Sequence, residues 1–145
     1  MGTLIYLHNG VGSEMPANGD ASGNLIIRPP VNWSVNHIPA VSTLATITKA
    51  AGGAGFKHVC TSIVASAVGP VTGGVIFLYL RDGAASTGTI IWATALAPIN
   101  TAARIIVTGL NIEGSDNTAM TLEFSAAPPA TDQEVVSMTG YTVLV

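Results

Sequence analysis

Short apolar runs rich in Val, Ile, Thr and aromatic residues recur along this chain, and each is soon cut by Gly, Pro, Asn or Asp. Few windows are long enough for three turns of helix without such a breaker, so helical periodicity has nowhere to establish itself. The same spacing is what a chain of short strands and turns requires, and it predicts an all-β antiparallel β-sandwich. Expected strands cover residues 3–8, 24–28, 40–49, 56–67, 75–81, 89–96, 104–110, 119–125 and 134–145. Asp82-Gly83 is the best hairpin signal, because a type I′ turn needs positive φ at both central positions and these two residues tolerate it.

Alternation assigns the faces. In 119–125, Met120, Leu122 and Phe124 fall on one side and Thr121, Glu123 and Ser125 on the other, which predicts one buried and one wet face. Residues 75–80 are apolar on both faces, as in a strand covered on both sides, with the second cover available from another subunit. Residues 59–80 carry no charge and approach the length of a membrane span. Their centre, Gly69-Pro70-Val71-Thr72-Gly73-Gly74, is a breaker cluster, so two strands and a turn are expected instead.

Five Lys or Arg and eight Asp or Glu make up only 9% of the 145 residues, against roughly 25% in an ordinary soluble domain. With a mean hydropathy of +0.52, such a surface is expected to be hidden in part against other subunits, as a dimer or trimer. The basic residues Arg28, Lys49, Lys57, Arg81 and Arg104 are scattered and the net charge is −3, which speaks against nucleic acid as a partner. One cysteine, Cys60, excludes an internal disulfide. The first residues have neither the basic region nor the apolar length of a signal peptide.

Residues 1–33 read as an extended N-terminal arm before a sandwich domain of residues 34–145. Loop chemistry dominates 9–13 and 16–24, yet Leu4, Ile5, Leu25, Ile26 and Ile27 are too apolar for a free tail. Together with Trp33, these are the expected interface residues, suited to strand addition or pocket filling on a neighbour. The plainer alternative is that they complete a sheet of their own domain.

Catalytic chemistry finds no footing in the sequence, and a non-enzymatic role is expected. His58 and Cys60 share a face of a strand, but two further metal ligands are missing and His8 and His37 lie in unrelated segments. They read as packed residues. Asp82, Asp116 and Asp132 sit in turn contexts, Glu113 ends a strand and Glu14 lies in the arm, so no acid pair is apparent. Gly52-Gly53-Ala54-Gly55 precedes a strand rather than a helix and so lacks a phosphate-binding helix N-terminus. No catalytic residue, cofactor site or metal site is expected.

The phrases Lys57-His58-Val59-Cys60-Thr61-Ser62-Ile63, Leu78-Tyr79-Leu80-Arg81-Asp82-Gly83, Gly109-Leu110-Asn111-Ile112-Glu113-Gly114-Ser115 and 119–125 resemble those of small virion proteins of tailed bacteriophages. The resemblance covers residues 40–145. It implies a capsid cement or decoration protein with a jelly-roll-like sandwich, bound to a major capsid protein on the outer capsid surface and needing no cofactor. A tail-tip or fibre module that binds a receptor or carbohydrate is the alternative.

Overall fold

The computed structural model describes residues 6–8, 14–16, 30–68, 75–96, 103–128 and 131–145. All ten of its regular elements are strands: β1 Tyr6–His8, β2 Glu14–Pro16, β3 Val31–His37, β4 Thr46–Lys49, β5 Phe56–Val68, β6 Ile76–Asp82, β7 Thr89–Leu96, β8 Ala103–Glu113, β9 Met120–Phe124 and β10 Gln133–Leu144. Strands β1 and β2 pair antiparallel with each other. The other eight form two antiparallel four-stranded sheets, ordered β3-β10-β5-β8 and β4-β9-β6-β7. The chain passes back and forth between the sheets, and each of β3, β4 and β5 neighbours a strand far later in sequence. This is the strand order of a jelly roll, two Greek keys rolled into a sandwich.

The uncharged stretch 59–80 is thus two strands in different sheets, β5 and β6. Strand β3, absent from the expected set, runs across the boundary drawn between residues 33 and 34. It pairs with β10 from His37↔Val136 to Val31↔Thr142. Leu4, Ile5, Leu25, Ile26 and Ile27 lie outside the described residues.

The core lies between the sheets, where Cys60, Ile63, Leu78, Leu80, Leu122 and Met138 are fully buried. Two irregularities shape the first sheet. Its β5–β8 register shifts between Cys60 and Ser62, opposite Gly109 at φ 72, and its β5–β10 register shifts beside Gly140. A Cβ on Gly140 would lie 2.1 Å from the Val59 carbonyl oxygen and 2.5 Å from the Trp33 ring. Only glycine lets β10 pass beneath that indole.

Asp82-Gly83 does end one strand of a hairpin, since β6 and β7 pair directly. Gly83 takes the expected positive φ of 118, but Asp82 stays in β6 and the connection spans residues 83–88. The six-residue loop has work that a two-residue turn could not do, because it folds back over the second sheet.

Candidate functional site

That loop divides the outer face of the second sheet in two. Over β9, the Ser86 N–H donates to both carboxylate oxygens of Glu123 at 3.0 and 3.2 Å, and the Thr121 hydroxyl donates to the Gly83 carbonyl at 2.8 Å. Arg81 Nε donates to Glu123 Oε1 at 2.5 Å, and its Nη1 reaches the Gly88 carbonyl at 2.8 Å. Glu123 and Thr121, expected on a wet face, are therefore buried at 2% and 0% exposure. A charge so enclosed needs both its counter-ion and its hydrogen bonds.

Beyond the loop the same face is open. Tyr79 lies opposite Ala93 and Phe77 opposite Ala95; the Phe77 and Tyr79 rings stack at 6.0 Å with 4° between planes. The Arg81 guanidinium sits 5.2 Å from the Tyr79 ring centre. Val75, Phe77 and Ile90 are 51%, 41% and 46% exposed. Strand β7, at the edge of this sheet, contains no charged residue and no proline, the features that normally guard an edge against pairing. Among the described residues, nothing covers the second face of residues 75–80 beyond the loop, and that face is apolar.

Trp33 behaves differently from a free anchor. Its ring packs over Gly140 and meets His58 edge-on at 5.8 Å and 79°. His58 is buried; its Nε2 donates to the Ala50 carbonyl at 2.7 Å and its Nδ1 pairs with the Thr142 hydroxyl at 2.8 Å. Cys60 is fully buried, and burial pushes its thiol up to about 11, only partly opposed by its hydrogen bond to the Ser62 carbonyl. That is the reverse of what a nucleophile or metal ligand needs.

The acids depart furthest from their turn readings. Asp82 holds the 114–117 turn through the Ser115 N–H at 3.0 Å, and Glu113 pairs with Lys57 at 2.5 Å. Asp132 is 2% exposed, and among the described residues neither carboxylate oxygen has a hydrogen-bond partner. Glu134, absent from the expected site residues, is fully buried; its Oε2 accepts the Ala45 N–H at 3.1 Å while Oε1 is unpartnered. Burial pushes the Glu134 carboxyl up to about 7, and the Ala45 hydrogen bond opposes that rise. Both acids lie beneath the β3–β4 connection, which is strapped to them: the Ser42 N–H donates to the Asp132 carbonyl at 2.9 Å and the Gln133 amide to the Pro39 carbonyl at 2.8 Å. The signal that could have found the pair is its i, i+2 spacing in register with Val136 and Met138, which puts all four on one face.

No protein-family model matches this chain, and no curated protein matches it. Several solved structures are similar, among them the following two. A chain of the cyanophage Pam1 capsid asymmetric unit shares 19% identity over 88% of this chain and 99% of that one, at a TM-score of 0.38. A chain from Bacillus endospore appendages, described as disulfide-linked pili, shares 16% identity over 83% of this chain and 98% of that one, at a TM-score of 0.33. Both likenesses are remote, and the architecture rests on the strand order itself.

Proposed function

We propose that this chain is a non-enzymatic structural protein of a phage virion, an oligomeric cement or decoration protein that binds the outside of a capsid shell. The observation that supports this most is the half-covered outer face of the second sheet. Val75, Phe77 and Ile90 stay exposed on a sheet whose edge strand β7 is uncharged, in a chain with few charges to keep copies apart. Such a surface suits a subunit that is buried twice, against its own copies as a dimer or trimer and against a major capsid protein. Residues 1–30 extend the contact to a neighbouring subunit, with Leu4, Ile5, Leu25, Ile26 and Ile27 as anchors. Trp33 serves the sandwich of its own chain.

The stacked Phe77 and Tyr79 rings give the alternative, a receptor- or carbohydrate-binding module of a tail tip or fibre, a specific foothold. Ala93 and Ala95 beside them bring no side-chain hydrogen-bonding groups, which favours apolar docking over sugar recognition. Sedimentation of the wild-type chain should show a dimer or trimer, and mixing with shells of the encoding phage should show co-sedimentation. Phe77→Lys with Ile90→Lys should shift the oligomer toward monomer and lower shell occupancy with little change in melting temperature, since both side chains are exposed. A monomeric wild-type chain that ignores shells and binds on a glycan array would overturn the cement reading in favour of the alternative.

A further inference from the structure

Buried polar groups are hydrogen-bonded in the great majority of cases, and a buried group without a partner calls for a reason. Among the described residues, three carboxylate oxygens at one end of the sandwich have no partner: Oδ1 and Oδ2 of Asp132 and Oε1 of Glu134. Their residues are 2% and 0% exposed. Burial alternates from Asp132 through Glu134, Val136 and Met138, so the two acids take successive inward positions on one side of the chain. The 39–45 strap crosses above them, tied at Pro39, Ser42 and Ala45.

No described Lys or Arg forms an ion pair with either acid. The titratable neighbour on the adjoining strand is His37, whose partner on β10 is Val136, which places it diagonally across from Glu134. Its Nδ1 already accepts the Thr46 N–H at 3.2 Å. A proton on Glu134 would answer for that residue alone and leave both Asp132 oxygens without a donor among the described residues.

We propose that Asp132 and Glu134 bind a divalent cation that prefers oxygen ligands, and that calcium is the ion the site fits. Two carboxylates supply the charge that balances it, and all three orphan atoms are oxygens. Zinc fits poorly, because it seeks nitrogen and sulfur, while His37 Nδ1 is engaged with Thr46 and Cys60 with Ser62. Calcium accepts an adaptable shell in which backbone carbonyls and water complete the carboxylate set, whereas magnesium demands a near-ideal octahedron and gives up water reluctantly. The strap is irregular backbone and can offer carbonyls. A cation here joins the β3–β4 connection to the start of β10, and so ties the two sheets at this end; its role is to stabilise the fold.

The test is calcium titration of the full chain, read by thermal melting and by calorimetry after chelator treatment, with magnesium as the comparison. Wild type should bind one calcium per chain, and at a roughly hundredfold excess over Kd its melting temperature should rise by several degrees. Asp132→Asn and Glu134→Gln keep side-chain volume; each should fold and lose the calcium-dependent rise. No binding heat and no rise in wild type would overturn the proposal, as would a rise of equal size in both variants. A melting temperature that follows pH and ignores calcium at every pH would overturn it in favour of protonation. Shell binding is scored separately, so loss of the calcium effect and loss of the capsid role are distinguishable.

Discussion

Glu123 and Glu134 are acids that strand alternation sends to opposite sides of their sheets, yet both are buried. Glu123 is met across the outer face by Arg81 and by the Ser86 N–H. Glu134 faces the core with one backbone donor, Ala45 N–H, and burial raises its carboxyl from an ordinary 4.5 to about 7. Because the folded value lies above the unfolded one, the native state favours the neutral acid. Its contribution is complete below about 4.5, declines as pH rises, and is lost above about 7. In chelator, with no divalent cation to hold the carboxylate, unfolding by urea should therefore show the wild-type chain weaker at pH 8 than at pH 5, by at most on the order of 3 kcal/mol. Glu134→Gln should flatten that difference. Superimposable pH profiles for the two chains would show that burial of this carboxyl does not set it. Neither environment was legible locally: alternation names a face, while a loop from elsewhere decides whether that face stays wet.

Elements were read well where apolar residues and breakers agreed. Strand β7 matches its expected bounds, and β5, β6, β9 and β10 differ at their ends by a residue or so. The expected strand over 40–49 shrinks to Thr46–Lys49, because its first half is the strap that covers Asp132. Strand β3 was hidden by its setting: Pro29-Pro30 before it and the polar Asn32, Ser34 and Asn36 within it read as loop, although Trp33, Val35 and His37 keep strict alternation. What fixes β3 is long-range pairing with β10, and that junction is tight at Gly140. Gly140→Ala should destabilise the fold by about 2–4 kcal/mol, because the new methyl meets the Val59 carbonyl and the Trp33 indole and one of them must move. Urea unfolding measures it, and adding Trp33→Ala should recover part of the loss if the indole is the obstacle. A neutral Gly140→Ala would mean that the three strands close with room to spare.

At the scale of the molecule, the question is where the arm ends and the sandwich begins. Composition placed the change at residue 34, where loop-rich texture gives way to apolar runs. Strand β3 runs across that point, with Val31, Asn32 and Trp33 in register with Thr142, Tyr141 and Gly140 of β10, so we propose an earlier end for the arm, near residue 30. Two shortened chains separate folding from assembly. A chain beginning at Pro30 keeps all eight sandwich strands and should melt cooperatively near the full-length temperature. One beginning at Ser34 loses three pairs of the β3–β10 ladder and the indole over Gly140, so it should melt several degrees lower. Both lack Leu4, Ile5, Leu25, Ile26 and Ile27, so both should form smaller oligomers and occupy shells less than the full chain if those residues reach a neighbour. The chain from Pro30 decides the matter, because it lacks the proposed arm yet keeps every strand of the two four-stranded sheets. Full-length oligomer size and shell occupancy in that chain would show that the arm makes no contact between subunits. Failure of the same chain to fold would show instead that residues before 30 complete the sandwich of their own subunit.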